Sequence, residues 1–230
     1  MAQDNSELSE LRQQTKTRQT ILEMITRKFA VEDEGLKDAL QAAKHAGLPE
    51  IQISPLQGKF LQFLAVACNA QSILEIGSLG GYSGIWLARA LPANGHFITL
   101  EINPTHAELV RNAFARAGVS DRAEVRVGNA LDLLPLLEHE APFDLIFIDA
   151  DKPPYPQYLD WAMRLSRPGS IIAADNCIRN GKGFEEPQDE GMAGIVAFNN
   201  RIATDPRLIS LDLAMDDDYT DGFAVSVVRP

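Results

Sequence analysis

Asp144-Leu145-Ile146-Phe147-Ile148-Asp149 is a run of four apolar residues closed at each end by an aspartate. Apolar residues at every position, not at alternate ones, predict a central parallel strand covered on both faces. Short runs of the same kind precede it: Ser72-Ile73-Leu74-Glu75-Ile76-Gly77, Gly95 to Glu101, and Glu124 to Val127. Helical patterns separate them, through Trp86 to Leu91, from Pro104 to Ala117 before Gly118, and from Leu131 to Glu140. After residue 149 come a helix around Tyr158 to Leu165, a strand Ser170 to Ala174, a helix Met192 to Ala203, and strands Leu208 to Leu213 and Phe223 to Val228. Alternation of strand and helix from 72 to 176 predicts an α/β protein with an open, doubly wound parallel sheet. Residues 215–221 are too few for a crossover helix, and Asp221-Gly222 supplies turn chemistry, so the last two strands pair antiparallel. A mostly parallel sheet with one antiparallel C-terminal strand departs from the dinucleotide-binding dehydrogenases.

Residues 1 to about 50 carry no strand signal, and 1–68 read as an N-terminal helical extension to a 69–230 core, the whole forming one domain of 230 residues. Leu8, Leu11, Ile21, Leu22, Ile25 and Phe29 have helical spacing, and Leu36, Leu40 and Ala43 continue it until Gly47-Leu48-Pro49. Ser54 and Pro55 open a further helix with Leu56, Phe60, Leu61, Leu64 and Ala65 on one face.

The chain has 21 Lys plus Arg and 32 Asp plus Glu, a formal net charge of −11. With no basic stripe, a nucleic-acid partner or an anionic membrane surface is disfavoured. No apolar run approaches the roughly 18 residues that span a bilayer, and no signal peptide is visible. Two cysteines, Cys68 and Cys177, make neither a disulfide framework nor a cysteine zinc site, which suits the cytoplasm. His45, His96, His106 and His139 are scattered without zinc spacing.

In such a sheet, ligands bind beyond the carboxyl ends of the strands, where strand order reverses. The residues there are Glu75 and Gly77, Glu101, Gly128 and Asn129, Asp149 with Asp151 and Lys152, and Asp175 with Asn176. The glycine-rich turn from Gly77 to Ser83 lets a ligand approach the backbone and a helix N-terminus, although it is also a tight turn. Glu101, 24 residues after Gly77, is placed to accept from both ribose hydroxyls of an adenosine, or to be a rim carboxylate. Asp149, Asp175 and Asn176 offer three hard oxygen donors to one divalent cation, Mg²⁺ first, unless the aspartates only cap loops.

Five ordered segments together resemble the cation-dependent class of S-adenosylmethionine O-methyltransferases, the class of catechol and caffeoyl-CoA O-methyltransferases. They are Leu74-Glu75-Ile76-Gly77, Gly81-Tyr82-Ser83, Glu101-Ile102-Asn103-Pro104, Phe147-Ile148-Asp149-Ala150-Asp151-Lys152 and Asp175-Asn176, within a likeness running from about Ser54 to Pro230. The resemblance implies a Rossmann-like class I methyltransferase sheet and S-adenosyl-L-methionine as cofactor. Glu75, Gly77, Ser78 and Ser83 then match positions holding its methionine part, Glu101 the ribose acid, Ala130 the adenine side, and Asp151, with Asp149, further cofactor contacts. It also implies Asp149, Asp175 and Asn176 as ligands of Mg²⁺, or of Mn²⁺ or Ca²⁺, Lys152 as catalytic lysine, and Asn180 as an acceptor contact. Ile53 departs from the polar residue of the plant enzymes. Lys152-Pro153-Pro154-Tyr155 is similar to the Asp/Asn-Pro-Pro-Tyr motif of amino-group methyltransferases, but an ammonium cannot accept from a target amine.

The expected reaction is transfer of a sulfonium methyl to one hydroxyl of a catechol-like small molecule, with Lys152 and Asp149 at its centre. A phenol of pKa about 10 becomes a nucleophile when a bound cation lowers that value and a base takes its proton. A non-catechol hydroxyl of a natural product is the alternative acceptor; an oxidoreductase or a non-catalytic binding module is a third reading. For Lys152 the bland alternative is an ion pair with Asp151. Residues 184–192, with four acids, form a polar loop after the metal strand, a specificity element or simply a solvated one. The apolar surplus of the N-terminal helices, with the resemblance, predicts a homodimer.

Overall fold

A computed structural model describes residues 2–215 and 220–230, with side chains from residue 15 onward. Seven strands form one sheet: β1 (Ser72–Ile76), β2 (His96–Glu101), β3 (Ala123–Val127), β4 (Phe143–Ile148), β5 (Ser166–Asp175), β6 (Leu208–Ala214) and β7 (Gly222–Val228). Their order is β3-β2-β1-β4-β5-β7-β6, so the winding reverses between β1 and β4. All neighbours up to β5 pair parallel, and β7 alone runs against the rest, antiparallel to both β5 and β6. This is the expected doubly wound sheet with one reversed strand.

Helices cover both faces. On one side α2 (Glu34–His45), α3 (Pro55–Ala67), α4 (Tyr82–Ala90) and α5 (Pro104–Arg116) pack Leu36, Leu61, Ile85, Trp86 and Phe114 onto Ile73, Phe97, Leu145 and Phe147. On the other, α6 (Ala130–Leu133), α7 (Tyr155–Leu165) and α8 (Glu190–Thr204) frame a core of Leu159, Phe198 and Ile202 against Leu74, Ile98, Ile146 and Ile148. β4 is buried along its whole length, which is what its unbroken apolar run requires. Residues of α2 and α3 share the core of β1 and α4, so the N-terminal helices are packed onto the sheet and do not stand apart from it.

Two local readings change. The helical pattern across residues 21–43 is broken: α1 (Ala2–Phe29) ends, and Asp33 caps α2 by accepting from Leu36 N–H. Linker residues then grip the core, with Tyr82 Oη donating to Glu32 at 2.7 Å and Arg89 pairing with Asp33. The helix expected over 131–140 is one α turn followed by a 3-10 turn at Leu134–Leu137, because Pro135 cannot donate within an α-helix. Leu8 and Leu11 lie outside the described side chains, and 216–219 of the last connection lie outside the described residues. No helix among the described residues is long and apolar enough to cross a membrane.

Candidate active site

The reversal of winding between β1 and β4 opens a cleft of about 700 Å³ at the carboxyl ends of the strands. Gly77 begins its floor at φ +94°, and a Cβ there would collide with the carbonyl oxygen of Asp149. Only glycine lets the β1–α4 turn pass this close to β4. Glu101 ties the same turn from the side. Its Oε2 accepts from Ser78 Oγ at 2.9 Å and from Leu79 N–H at 3.1 Å, while Oε1 accepts from Asn103 N–H at 2.9 Å. Glu75 lies fully buried beneath the turn, on the α4 side of the sheet. Ser83 Oγ at 2.5 Å and Thr99 Oγ1 at 2.6 Å donate to it, yet burial outweighs them and pushes its carboxyl up to about 7.

Ile148 and Ala174 are in register on β4 and β5, so Asp149 and Asp175 follow side by side on adjacent strands. Asp175 is buried and accepts one backbone N–H, that of Asn176, at 2.7 Å. Burial and the facing Asp149 carboxylate hold its carboxyl well above the usual range. Two carboxylates driven together with few donors, next to the Asn176 carboxamide, are a donor set a hard divalent cation fits. Among the described residues no group of three or more His, Cys, Asp or Glu side chains is arranged for a metal, and this set has only two carboxylates.

Lys152 reaches back over the strand end. Its Nζ donates to Asp149 Oδ1 at 3.1 Å and to Tyr155 Oη at 2.6 Å, and Tyr155 Oη in turn donates to the carbonyl of Asp175 at 2.9 Å. Asp149, not Asp151, is therefore the partner of Lys152; Asp151 accepts instead from Tyr158 Oη at 2.6 Å. Gly194 of α8 packs so close that a Cβ would strike the Lys152 carbonyl, which pins the backbone of this segment.

Gly77, Ser78, Glu101, Ala130, Asp149, Asp151, Lys152 and Asn176 all line the one cleft. Asp175 and Glu75 lie buried beneath it, and Ser83 and Ile53 line a small adjoining space with Gly77 and Asp149. Asn180 is exposed and outside the lining, whereas its neighbour Arg179 is part of it. Tyr155, Tyr158, Thr99 and Arg179 were not legible as site residues. Tyr155 had a signal, three positions after Lys152 at the start of a helix, where the two side chains meet on one face. The apolar rim residues Ile51 and Ile102, both exposed, had none.

A parallel sheet wound in this order, with acids gathered at its reversal point, defines a ligand-binding α/β enzyme fold. The family model for O-methyltransferases matches residues 26–222, and the chain belongs to that family. It is 48% identical over 203 residues to a catechol O-methyltransferase of Niastella koreensis, covering 86% of this chain and 91% of the relative. It is 45% identical over 199 residues to a catechol O-methyltransferase of Mycobacterium tuberculosis, covering 86% and 90%. An O-methyltransferase of Bacillus cereus, solved in complex with SAH, superposes with a TM-score of 0.87 at 42% identity, over 94% of this chain and 100% of that one.

Proposed function

We propose that the protein is an S-adenosylmethionine- and divalent-cation-dependent O-methyltransferase acting on one hydroxyl of a catechol-like small molecule. The observation that carries this reading is the pair of buried Asp175 and half-buried Asp149 with Asn176 beside it, carboxylates short of donors at one wall of a cleft whose other wall is the Glu101-braced turn. The names of the two catechol O-methyltransferase relatives and the SAH complex of the Bacillus cereus enzyme support acceptor and cofactor.

Bound S-adenosylmethionine supplies an electrophilic methyl, and a bound cation acidifies two vicinal oxygens and fixes their direction. Glu101 accepts from the ribose hydroxyls with the lone pairs its backbone donors leave free. Gly77 and Ser78 lie along the methionine end, with Ala130 toward the adenine. Asp151, braced by Tyr158, adds a cofactor contact. Asp149, Asp175 and Asn176 hold the cation. Lys152, steadied by Tyr155, takes the acceptor proton at Nζ once its own proton has left. Two bound substrates held in line remove most of the entropic part of the barrier.

Chelation on purified protein tests this: turnover of a catechol should vanish with chelator and return with Mg²⁺. Full turnover in chelator, with no metal by elemental analysis, refutes the cation reading. Profiling catechols against isolated hydroxyls decides the acceptor. A homodimer is part of the proposal, supported by Ile21, Met24, Ile25 and Phe29 exposed on α1; light scattering at the 25.2 kDa chain mass would refute it. Free Cys68 and Cys177 suit a cytoplasmic, reducing setting.

A further inference from the structure

Asp221, just before β7, holds the loop that follows β5. Its Oδ1 accepts the backbone N–H groups of Ile178 and Arg179 at 3.1 Å each and of Gly222 at 2.9 Å. Its Oδ2 accepts from Asn176 Nδ2 at 3.2 Å and lies 3.4 Å from Arg179 Nε. The loop needs such a hold, because Asn176, Arg179 and Asn180 have φ of 59°, 50° and 56°, the left-handed region that L-residues avoid.

The chemistry at Oδ2 has a further consequence. A carboxylate accepts and never donates, so the end of the Asn176 amide facing Asp221 is its NH₂. The amide is planar, and its oxygen is thereby turned away from Asp221, at a residue that lines the cleft. No hydrogen bond to Asn176 Oδ1 occurs among the described residues. A hard cation takes the oxygen of an amide and not its nitrogen.

We propose that Asp221 is the positioning residue of the cation site, fixing the Asn176 carboxamide so that its oxygen is the end presented to the metal. This inference rests on the cation reading above, and the experiment separates the failure of each.

In Asp221→Asn the new carboxamide still has an oxygen for the three backbone N–H groups, but it meets Asn176 with an NH₂. Two donors cannot pair, so the Asn176 amide turns over and its nitrogen faces the cation. Combining Asp221→Asn with Asn176→Asp exchanges the two groups: the carboxylate now at 176 accepts from the carboxamide at 221 and keeps an oxygen for the metal. Formal charge is the same as in the wild type. Mn²⁺ binding to the full chain is measured by paramagnetic resonance titration, with S-adenosylmethionine affinity and Tm alongside. Asp221→Asn should weaken Mn²⁺ binding about 10–100-fold, the usual range for a group that orients a ligand, with cofactor affinity unchanged. The exchanged pair should recover most of that loss. Wild-type protein that binds no Mn²⁺ overturns the cation reading itself. Wild-type binding retained in Asp221→Asn, or a folded exchanged pair that stays as weak as Asp221→Asn, overturns the role of Asp221. If Asp221→Asn fails to fold, the exchanged pair decides: Mn²⁺ binding near the wild-type level supports the role, and a folded pair without it overturns it.

Discussion

β4 carries an aspartate at each end, and the two are in opposite states. Asp144, at the amino end, is buried and saturated: Gln71 N–H at 2.7 Å, Ser72 N–H at 3.1 Å, and Arg167 through Nε and Nη2 at 2.9 and 2.6 Å. Asp149, at the carboxyl end, has one donor among the described residues, Lys152, and a second carboxylate as its neighbour. The amino end of a parallel sheet can afford to satisfy its acids from within the chain. The carboxyl end leaves them short, and that shortage is what an external cation and a reacting proton would relieve. Counting donors thus separates Asp144, an acid satisfied from within the fold, from Asp149, an acid left short.

The sharpest division between the ends concerns turnover. Lys152→Ala should lower kcat by about 10²–10⁴, typical of general-base loss, while S-adenosylmethionine affinity and Tm hold. The deficit should shrink for acceptors whose phenol is already ionised at the assay pH. Equal loss across acceptors of low and high pKa would instead make Lys152 an electrostatic or positioning group.

Asp144→Ala tests the other end. It strands two backbone N–H groups and the Arg167 guanidinium, which is partly exposed and can rehydrate. The expected cost is about 3 kcal/mol, a fall in Tm of about 6–12 °C for a chain of this size. kcat of the folded fraction should be unchanged. A calorimetric Tm within a degree or two of wild type would erase the contrast between the two ends.

The sequence made one half of this contrast legible. The alternation of strands and helices, the reversed last strand and the acids at Glu101, Asp149 and Asp175 followed from apolar periodicity and from where the runs stop. What Asp144 and Asp149 do was not distinguishable, since each simply flanks the same apolar run. Their difference arises from partners 23 residues away at Arg167 and 73 away at Gln71, which no local pattern encodes. Asp221 escaped for the same reason, meeting Asn176 across 45 residues through the β5–β7 pairing, whereas Tyr155 stands only three residues from Lys152 and had a local signal. The break at Ala30–Asp33 has one local signal, the capping residue Asp33, set within an apolar spacing that continues across it.

Glu101 lies between the two cases, because its donors come from the chain while the residue also lines the cleft. Glu101→Ala should weaken cofactor binding by about 2–3 kcal/mol, the scale of charge-assisted hydrogen bonds. It should also loosen the turn, seen as faster amide exchange at Ser78 and Leu79. Unchanged affinity by titration calorimetry, in a folded variant, would return Glu101 to the purely structural group with Asp144.

Asp212, on edge strand β6, asks whether a shortage of donors always signals a ligand. Its Oδ1 is buried with no partner among the described residues, but it lines neither the cleft nor the small space beside it. Burial, and then the charge of Asp221, push its carboxyl up to about 6 from an ordinary value of 3.8. A folded-state pKa above the unfolded one means that folding favours the protonated acid. The stability this lends is complete below about pH 3.8 and is lost as pH rises through 6, so at neutral pH the wild type bears the cost of the ionised form. Asp212→Asn removes the titration and keeps the shape. Because the group is partly solvated, the gain at pH 7.5 is at most about 1 kcal/mol, or about 1–4 °C in Tm, and it should shrink toward zero at pH 4. Turnover and Mn²⁺ affinity should not move. If Asp212→Asn instead lowers either of them at constant Tm, this edge-strand acid is coupled to the site, and its lack of donors has the same meaning there as at Asp149.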